Sequence, residues 1–357
     1  MAELAQVRFP PRTEFARTLK RRVEAFVAAQ PEAPIRRAMW LKTAVILLWF
    51  ATSYGLLVFA AQSWWQAGLL AVSLGLSMAG IGFSIQHDAN HGAYPASRGW
   101  RRLLGYTLDL LGTSSYVWRF QHNVQHHTYT NIEHADADID VGLIARLSPT
   151  QPRRSFHRFQ HLYMWALYAL YVFQWLLWSE WRDLIRAKIG ENPFPRPHGR
   201  ELIGLILAKI VALTMWFGPL LIHPVLHYLA ATTIVVMVLG VTLAVIFQLA
   251  HVAEETAFPE LEGNPRVSED EWAVHQFETT TNFATGNVPL RWYLGGLTHQ
   301  VEHHLFPRIC HLHYPAIAPI VRETCREFGV VYHEQPTFRS ALRSHYRWLK
   351  ALGRAPA

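Results

Sequence analysis

Four long stretches of the chain are predominantly apolar, and polar or basic segments separate them. They cover about residues 40–61, 64–86, 202–222 and 229–249. Each is close to the ~20 residues that an α-helix needs to cross ~30 Å of hydrocarbon. The pattern therefore predicts four membrane-spanning helices, arranged as two hairpins with short turns.

The positions of Lys and Arg predict how these hairpins are oriented. Neither short turn, residues 62–64 or residues 223–228, contains a basic residue, whereas the flanking segments are basic. Because cytoplasmic segments carry the excess of Lys and Arg, we place both termini in the cytoplasm. The prediction is an all-α integral membrane protein whose single membrane domain, residues 39–357, has a cytoplasmic helical cap formed by residues 87–200 and 250–357.

Two other segments have helical periodicity but are expected to lie at the membrane surface. Residues 161–178 are rich in Trp and Tyr, and a membrane crossing there would put the later histidines on the opposite side from the earlier ones. In the basic segment 1–38, Phe15, Leu19 and Val23 recur at helical spacing. This spacing predicts an amphipathic helix on the membrane surface, and a solvated tail is the alternative.

Composition supports a membrane protein and narrows its chemistry. Of 357 residues, 51% are hydrophobic and only 17% are charged. The net charge of +7 comes from basic residues beside the apolar stretches, so we expect no nucleic-acid partner. Two cysteines cannot form a disulfide framework and suit a reducing compartment. Twenty histidines require a chemical reason, of which metal binding is the most common.

Histidine occurs in three clusters, each close to an apolar stretch, and a further histidine ends the fourth stretch. The candidate metal ligands are His87 and His91 of the first cluster, His122, His126 and His127 of the second, His303 and His304 of the third, and the isolated His251. The predicted topology brings all of them to one side of the membrane. The sequence therefore predicts one metal centre at the membrane edge.

Eight histidines exceed what one ion needs and suit two ions with about four ligands each. The lack of thiolate ligands argues against a structural zinc or an iron–sulfur cluster, and two irons that activate oxygen fit best. Neighbouring carboxylates are expected to accept hydrogen bonds from the imidazoles and fix their orientation. These carboxylates are Asp88, Glu133, Asp136, Asp138 and Glu302.

The motifs H-D-A-N-H, H-N-V-Q-H-H and Q-V-E-H-H resemble the three histidine boxes of membrane-bound fatty acid desaturases. The resemblance extends from about residue 40 to residue 336. It implies a di-iron centre held by the eight histidines and by Gln300, which opens the third box, with Gln248 ordering a water. His299, one residue earlier, is not expected to be a ligand. Gln300 resembles the front-end desaturases, which place a double bond between an existing one and the carboxyl end of the chain.

The resemblance implies oxygen-dependent insertion of a cis double bond into an acyl chain carried on CoA, acyl carrier protein or a phospholipid. Many front-end relatives carry a fused cytochrome domain with an H-P-G-G motif, which the N-terminal segment lacks. We therefore expect electrons to come from a separate protein, such as a ferredoxin or a cytochrome. A bacterial inner membrane is the expected location.

Three alternatives remain open at the level of the sequence. The first is a hydroxylase, ketolase or acetylenase on the same di-iron centre. The second is a membrane haem carrier, which would have paired histidines within the spans. The third is a transporter, which would need an ionisable group near mid-membrane, and Lys209 is the candidate.

Overall fold

The computed structural model of the protein describes residues 7–261 and 266–355, and these residues are mainly helical. In the first half the α-helices are α1 (Glu14–Ala28), α2 (Glu32–Phe59), α3 (Trp64–Ile81), α4 (His87–His91), α5 (Arg98–Gly105), α6 (Thr107–Leu110), α7 (Ser115–Trp118), α8 (His127–Tyr129), α9 (Gln160–Gln174) and α10 (Glu180–Arg186). In the second half they are α11 (Gly199–Phe217), α12 (Val225–His251), α13 (Trp272–Thr279), α14 (Val288–Tyr293), α15 (Gln300–Leu305), α16 (Tyr314–Phe328) and α17 (Phe338–Leu352).

The strands have two residues each, and each pair of strands connects two loops. Two parallel pairs connect β1 (Val7–Arg8) with β4 (Arg266–Val267) and β5 (Asn282–Phe283) with β6 (Glu334–Gln335). The antiparallel pair joins β2 (Lys188–Ile189) to β3 (Asn192–Pro193). No larger sheet forms among the described residues, which confirms the prediction of an all-α membrane protein.

The four predicted membrane spans are confirmed, and each helix is somewhat longer than predicted. The candidate spans are Glu32–Phe59, Trp64–His91, Gly199–Leu221 and Val225–His251. The second exceeds its predicted end because α3 continues through a π-helical segment, Gly82–Gln86, into α4. The apolar pattern stops at this segment although the helix does not, so the second and fourth helices both end on histidines at the same end of the bundle.

The N-terminal amphipathic helix forms, but its apolar face is covered by protein rather than by lipid. Phe15, Leu19 and Val23 are buried in a cluster with Ile317 and Val321 of α16. The helix is further held where the backbone N–H of residue 13 donates to Glu271 at 2.6 Å. The predicted surface position is therefore wrong for α1, because the apolar face of α16 needs a partner that the sequence pattern alone could not identify. Residues 1–6 of this segment lie outside the described residues.

The aromatic segment 161–178 belongs to a helix that crosses α12 without being a candidate span itself. α9 continues through a π-helical segment, Trp175–Ser179, into α10. A Cβ on Gly240 would lie 2.7 Å from the carbonyl of Tyr168, so the two backbones cross in close contact. Both ends of this long helix return to the cap, since Gln160 donates to Leu349 and β2 follows α10 beside the second histidine cluster.

A glycine turn carries the third histidine cluster against the second span. Gly295 has a φ of +60°, and a Cβ there would lie 2.1 Å from the carbonyl oxygen of Phe83. Phe83 belongs to the π-helical segment that precedes His87. The turn therefore fixes the distance between the first and third clusters, and only glycine fits it.

We predict that Gly295→Ala destabilises the protein, by at least ~1 kcal/mol from the positive φ alone, and further through the overlap with Phe83. Thermal unfolding of the purified protein measures this loss. The matched control is Gly286→Ala in the preceding turn, where a Cβ has no atom within 4 Å and φ is not left-handed. Equal melting temperatures for the two variants would contradict this interpretation of the turn.

Candidate metal centre

The three histidine clusters and His251 meet in one buried site at the end of the membrane helices. Their ligand atoms form two groups, within each of which all atoms lie within 4.8 Å of one another. The four-histidine group consists of His87, His91, His122 and His303. The three-histidine group consists of His126, His251 and His304. Each group draws on chain segments that are far apart in sequence.

His127 lies between the two groups. Its ring centroid is 4.7 Å from that of His91 and 4.6 Å from that of His303, on the side of the four-histidine group. It also stacks on His304 of the three-histidine group at 4.3 Å. One imidazole thus adjoins both potential metal positions, and eight histidines form a continuous site.

Local backbone geometry explains how neighbouring histidines can serve different positions. The first cluster directly follows the π-helical segment Gly82–Gln86, and His122 and His126 of the second cluster lie within the π-helical segment Arg119–His126. A π-helical turn widens the helix and shifts the register of the side chains that follow, and such turns are frequent at functional sites. In the third cluster the short helix α15 places Gln300, His303 and His304 on one face.

In three of these histidines the ring nitrogen Nδ1 donates a hydrogen bond that orients the ring. Nδ1 of His126 donates to Asp136 at 3.1 Å, and Nδ1 of His251 donates to the carbonyl of Thr279 at 3.2 Å. Nδ1 of His304 donates to Gln276 at 2.9 Å. These bonds leave Nε2 of each ring as the free ligand atom, which is the arrangement that metal-binding histidines usually have.

Six ring nitrogens of the clustered histidines are buried and have no hydrogen-bond partner within the described residues. They are Nε2 of His91, His126, His251, His303 and His304, and Nδ1 of His127. In addition, Nε2 of His87 and of His127 each approach Nε2 of His122 to 3.2 Å. A buried polar atom without a partner costs ~1–3 kcal/mol, and a bound cation would offset this cost for each nitrogen that it contacts.

The electrostatics keep most of these imidazoles neutral. Burial, followed by repulsion between neighbouring imidazoles, lowers the pKa of His303 and His304 well below the ordinary value. The pKa values of His122 and His127 are lowered for the same reasons. A cation binds neutral imidazole, and these rings therefore need no deprotonation to act as ligands.

His126 differs from the other candidate ligands because two carboxylates adjoin it. Burial lowers the pKa of His126, but the charges of Asp136 and Asp138 raise it more, so that the net shift is upward. Asp136 is itself fixed by the backbone N–H groups of Asn131 and Asp138, each at 3.0 Å. These two acids occupy the positions in which the sequence predicted orienting carboxylates.

The other predicted orienting residues have different partners. Glu302 accepts hydrogen bonds from Asn282 and Tyr332, each at 2.8 Å, and burial raises its pKa to about 7. Asp88 accepts from His311, and Glu133 lies 3.9 Å from the exposed His134. None of these contacts joins a carboxylate to a ring of the two groups.

Three further residues that the sequence singles out, Gln300, Gln248 and His299, are buried or half-buried. No hydrogen bond among the described residues joins any of them to a ring of the two groups. The side-chain nitrogen of Gln300 and the side-chain oxygen of Gln248 lack hydrogen-bond partners, so a role for either as ligand or water-ordering group stays a prediction. His299 pairs with Thr298 at 3.0 Å and belongs to neither group. The structure thus places His299 outside the centre, as expected.

Several supporting residues carry no sequence motif and were not predicted. Gln276 and Thr279 lie on α13, and their oxygens accept from the ligands His304 and His251. Asn131 adopts a positive φ of 59° and donates to the carbonyl of His251 at 2.8 Å. It thereby ties the second cluster to the end of the fourth span. In the sequence, only the polar residues of α13 among its apolar ones could have indicated these supporting side chains.

A buried chain of polar side chains connects the first cluster to α2 and to the segment that follows α15. Nζ of Lys42 lies 2.8 Å from Nε2 of His311, and Nδ1 of His311 donates to Asp88 at 2.9 Å. All three residues are almost fully buried. Since Lys42 lies on the first span and Asp88 follows His87, this chain fixes the first cluster to α2 and to the segment after α15.

The site therefore fits metal ions that prefer imidazole. It offers two groups of buried imidazole nitrogens that converge, and in the three-histidine group each ring is held by a hydrogen bond from its second nitrogen. Imidazole ligands suit iron, zinc and copper, and the absence of cysteine from both groups disfavours a structural zinc or an iron–sulfur cluster. Two cations, one for each group, would satisfy the unpartnered nitrogens.

Comparisons with known proteins agree with this chemistry. A model of the family "Fatty acid desaturase" matches residues 63–336. The sn-1 linoleoyl-lipid 6-desaturase of a Synechocystis species is 39% identical over 361 residues, which cover 99% of this chain and 100% of that protein. The enzyme of the same name from Arthrospira platensis is 38% identical, with 99% and 96% covered. The acyl-lipid (8-3)-desaturase of Physcomitrium patens is 37% identical, with 95% of this chain and 72% of that protein covered.

We predict that Asp136→Asn weakens metal binding by 10–100-fold, the usual effect of removing a carboxylate behind a metal-bound histidine. The physical reason is that His126 loses the charged acceptor that orients its ring. Competition with a chelator measures the affinity. Asp140→Asn, in the same acidic run but exposed, should bind metal like the wild type. An affinity unchanged in Asp136→Asn would show that this carboxylate does not support a ligand.

Proposed function

Since this chain belongs to the fatty acid desaturase family, as its histidine clusters predicted, and is a membrane oxidoreductase, we propose that it inserts a cis double bond into an acyl chain esterified to a membrane lipid. The oxidation would use two iron ions and molecular oxygen. We also propose that the new bond forms on the carboxyl side of an existing one. The observation that carries this proposal is the convergence of the two histidine groups at the end of the spans.

One iron is assigned to the four-histidine group and the other to the three-histidine group, with His127 beside both. Gln300 is assigned to the edge of the centre because it shares a face of α15 with His303 and His304. When bound, the irons with oxygen supply the oxidation that removes one hydrogen from each of two adjacent acyl carbons. Iron suits an all-nitrogen set, and the family is a di-iron family.

The chain's own residues prepare the site for this oxidation. Burial of every ligand imidazole excludes bulk water, and the hydrogen bonds that three of the rings donate to Asp136, Gln276 and Thr279 hold these rings in place. A dry, rigid site keeps a reactive oxidant from side reactions. The spans beside it provide the apolar surroundings that an acyl chain requires.

The names of the relatives support a lipid-linked substrate. Two are named sn-1 linoleoyl-lipid 6-desaturases and a third an acyl-lipid (8-3)-desaturase. We infer that the acyl carrier here is a membrane lipid rather than CoA or acyl carrier protein. The same names and the glutamine at position 300 support front-end placement of the new bond.

The alternatives are less well supported. A hydroxylase or acetylenase is not favoured, because relatives at 37–39% identity over nearly the whole chain are named desaturases. A haem carrier does not account for two groups of converging histidines. Lys209, the residue that suggested a transporter, forms an ion pair with Glu180 at 2.6 Å.

The electron donor is proposed to be a separate protein, a ferredoxin or a cytochrome, that meets the cap. In the proposed topology both termini and the cap lie in the cytoplasm, and the spans cross a bacterial inner membrane. The donor and the metal centre then lie on the same side of the membrane. The basic residues that flank the spans favour this orientation.

Acyl-chain analysis of host cells that express the protein tests the proposal. Cells supplied with linoleoyl lipids should gain a fatty acid with a new double bond on the carboxyl side of the existing ones. His303→Ala should bring this product below detection, because the variant loses a ligand of the four-histidine group. The control His198→Ala, at an exposed position before α11, should keep the wild-type yield.

Other products would change the proposal in defined ways. A new double bond on the methyl side would contradict front-end placement. A hydroxylated acyl chain would contradict desaturation while leaving the metal centre intact. Full product from His303→Ala would remove the basis of the site assignment.

A further inference from the structure

The third membrane span is poorly covered by the other three. In the most apolar part of this span only 6% of the residues are buried, whereas in that part of the second span 67% are buried. Two hydrogen bonds connect its outer end to α2. The hydroxyl of Tyr54 donates to the carbonyl of Met215 at 2.7 Å, and Nε2 of His223 donates to that of Val58 at 2.7 Å. The third span, α11, therefore contacts the other spans near these two bonds and little along the rest of its length. This leaves a gap between α11 and the other spans.

This gap is a cavity of about 200 Å³ between α2, α3, α11 and α12. Its walls are mainly apolar and include Phe50, Leu74, Met78 and Val235. Along α3 the lining extends from Trp64 to Met78, which is about 21 Å of helix at ~1.5 Å per residue. The cavity is therefore long and narrow, with a length close to that of an extended acyl chain.

The outer end of the cavity is polar but carries no formal charge. Gln62, Ser63, His223 and His227 line it beside the short turns, and no Asp, Glu, Lys or Arg occurs among the lining residues. The ring of Trp64 packs edge-on against His227 at 4.4 Å. Such a rim can hydrogen-bond to ester and glycerol oxygens and does not select an anionic headgroup.

We propose that this cavity binds one acyl tail of a phospholipid from the leaflet opposite the metal centre, with the ester region at the polar rim. An apolar cavity does not retain water, and a gap between spans faces a solvent of acyl chains. Since lipid and helix are equally apolar, binding depends on close packing along the walls and on the hydrogen bonds at the rim.

The cavity is separate from the metal centre. Met78 precedes His87 by about 13 Å of helix, and Val235 precedes His251 by about 24 Å. Between these levels Phe83 packs against Phe247 with ring centroids 6.3 Å apart, and Phe83 is fully buried. The bound tail is therefore a structural lipid, not the acyl chain that is oxidised.

The tail would act on the cap through α11. Lys209 of this helix pairs with Glu180, and Glu201 pairs with Arg102 and Arg119, each at 3.2 Å. Arg102 and Arg119 lie in the segment that leads to His122. A filled cavity holds α11 in position and thereby the segment before the second histidine cluster.

Photo-crosslinking of the full-length protein in phosphatidylcholine vesicles, with a diazirine on one acyl tail, tests this proposal. Mass spectrometry should find label on peptides that contain residues 64–78 and 225–235. Gly68→Leu should reduce this label at least ~10-fold, because Gly68 lines the cavity and a larger side chain fills it. Gly55→Leu is the matched control, since a Cβ at either glycine has no atom within 4 Å but Gly55 does not line the cavity.

Equal labelling of the wild type and Gly68→Leu, or label confined to the exposed side of α11, would overturn the proposal. If Gly68→Leu fails to fold, Ala231→Phe fills the same cavity from α12 and repeats the test. Phosphatidylglycerol should label the protein as well as phosphatidylcholine does, because the rim carries no charge. A strong preference for the anionic lipid would contradict the assignment of the ester region to the rim.

Discussion

Buried imidazole nitrogens without hydrogen-bond partners are the constraint on which the rest of the structure depends. Five of the histidines in the two groups present such an Nε2, and burial, followed by the neighbouring rings, lowers the pKa of His303 and His304. A cation in each group would offset the cost of leaving these nitrogens unpaired. On this account metal binding and folding of the cap would be linked, as in other proteins whose ligands come together only in the native state.

The remainder of the fold holds these nitrogens in place. The second and fourth spans end on the candidate ligands His91 and His251, so long helices set the positions of these two residues. The glycine turn at Gly295 and the chain from Lys42 to Asp88 fix the third cluster against the first. Asn131 does the same for the second cluster and the fourth span. Sites on rigid elements with hydrogen-bonded support keep their geometry best.

Much of this could be predicted from the sequence, since its strongest signals are physical. Apolar stretches of sufficient length must cross the bilayer, and two hairpins necessarily bring the segments after the second and fourth spans to one end. The sequence could not predict Gln276 or Thr279, because a neutral acceptor behind a histidine has no motif. It also could not place α1 against α16, since an apolar helix face fits lipid and protein equally well. Through the π-helical segment before His87 the second span continues beyond its apolar pattern, and the apolar pattern could not predict this continuation.

The metal content of the purified full-length protein tests the central claim most directly. Elemental analysis after anaerobic purification, with X-ray absorption spectroscopy at the iron edge, measures both the number of ions and their ligands. The account predicts about two irons per chain with a first shell dominated by imidazole nitrogen. A single zinc, one iron per chain, or a shell that contains sulfur would contradict it.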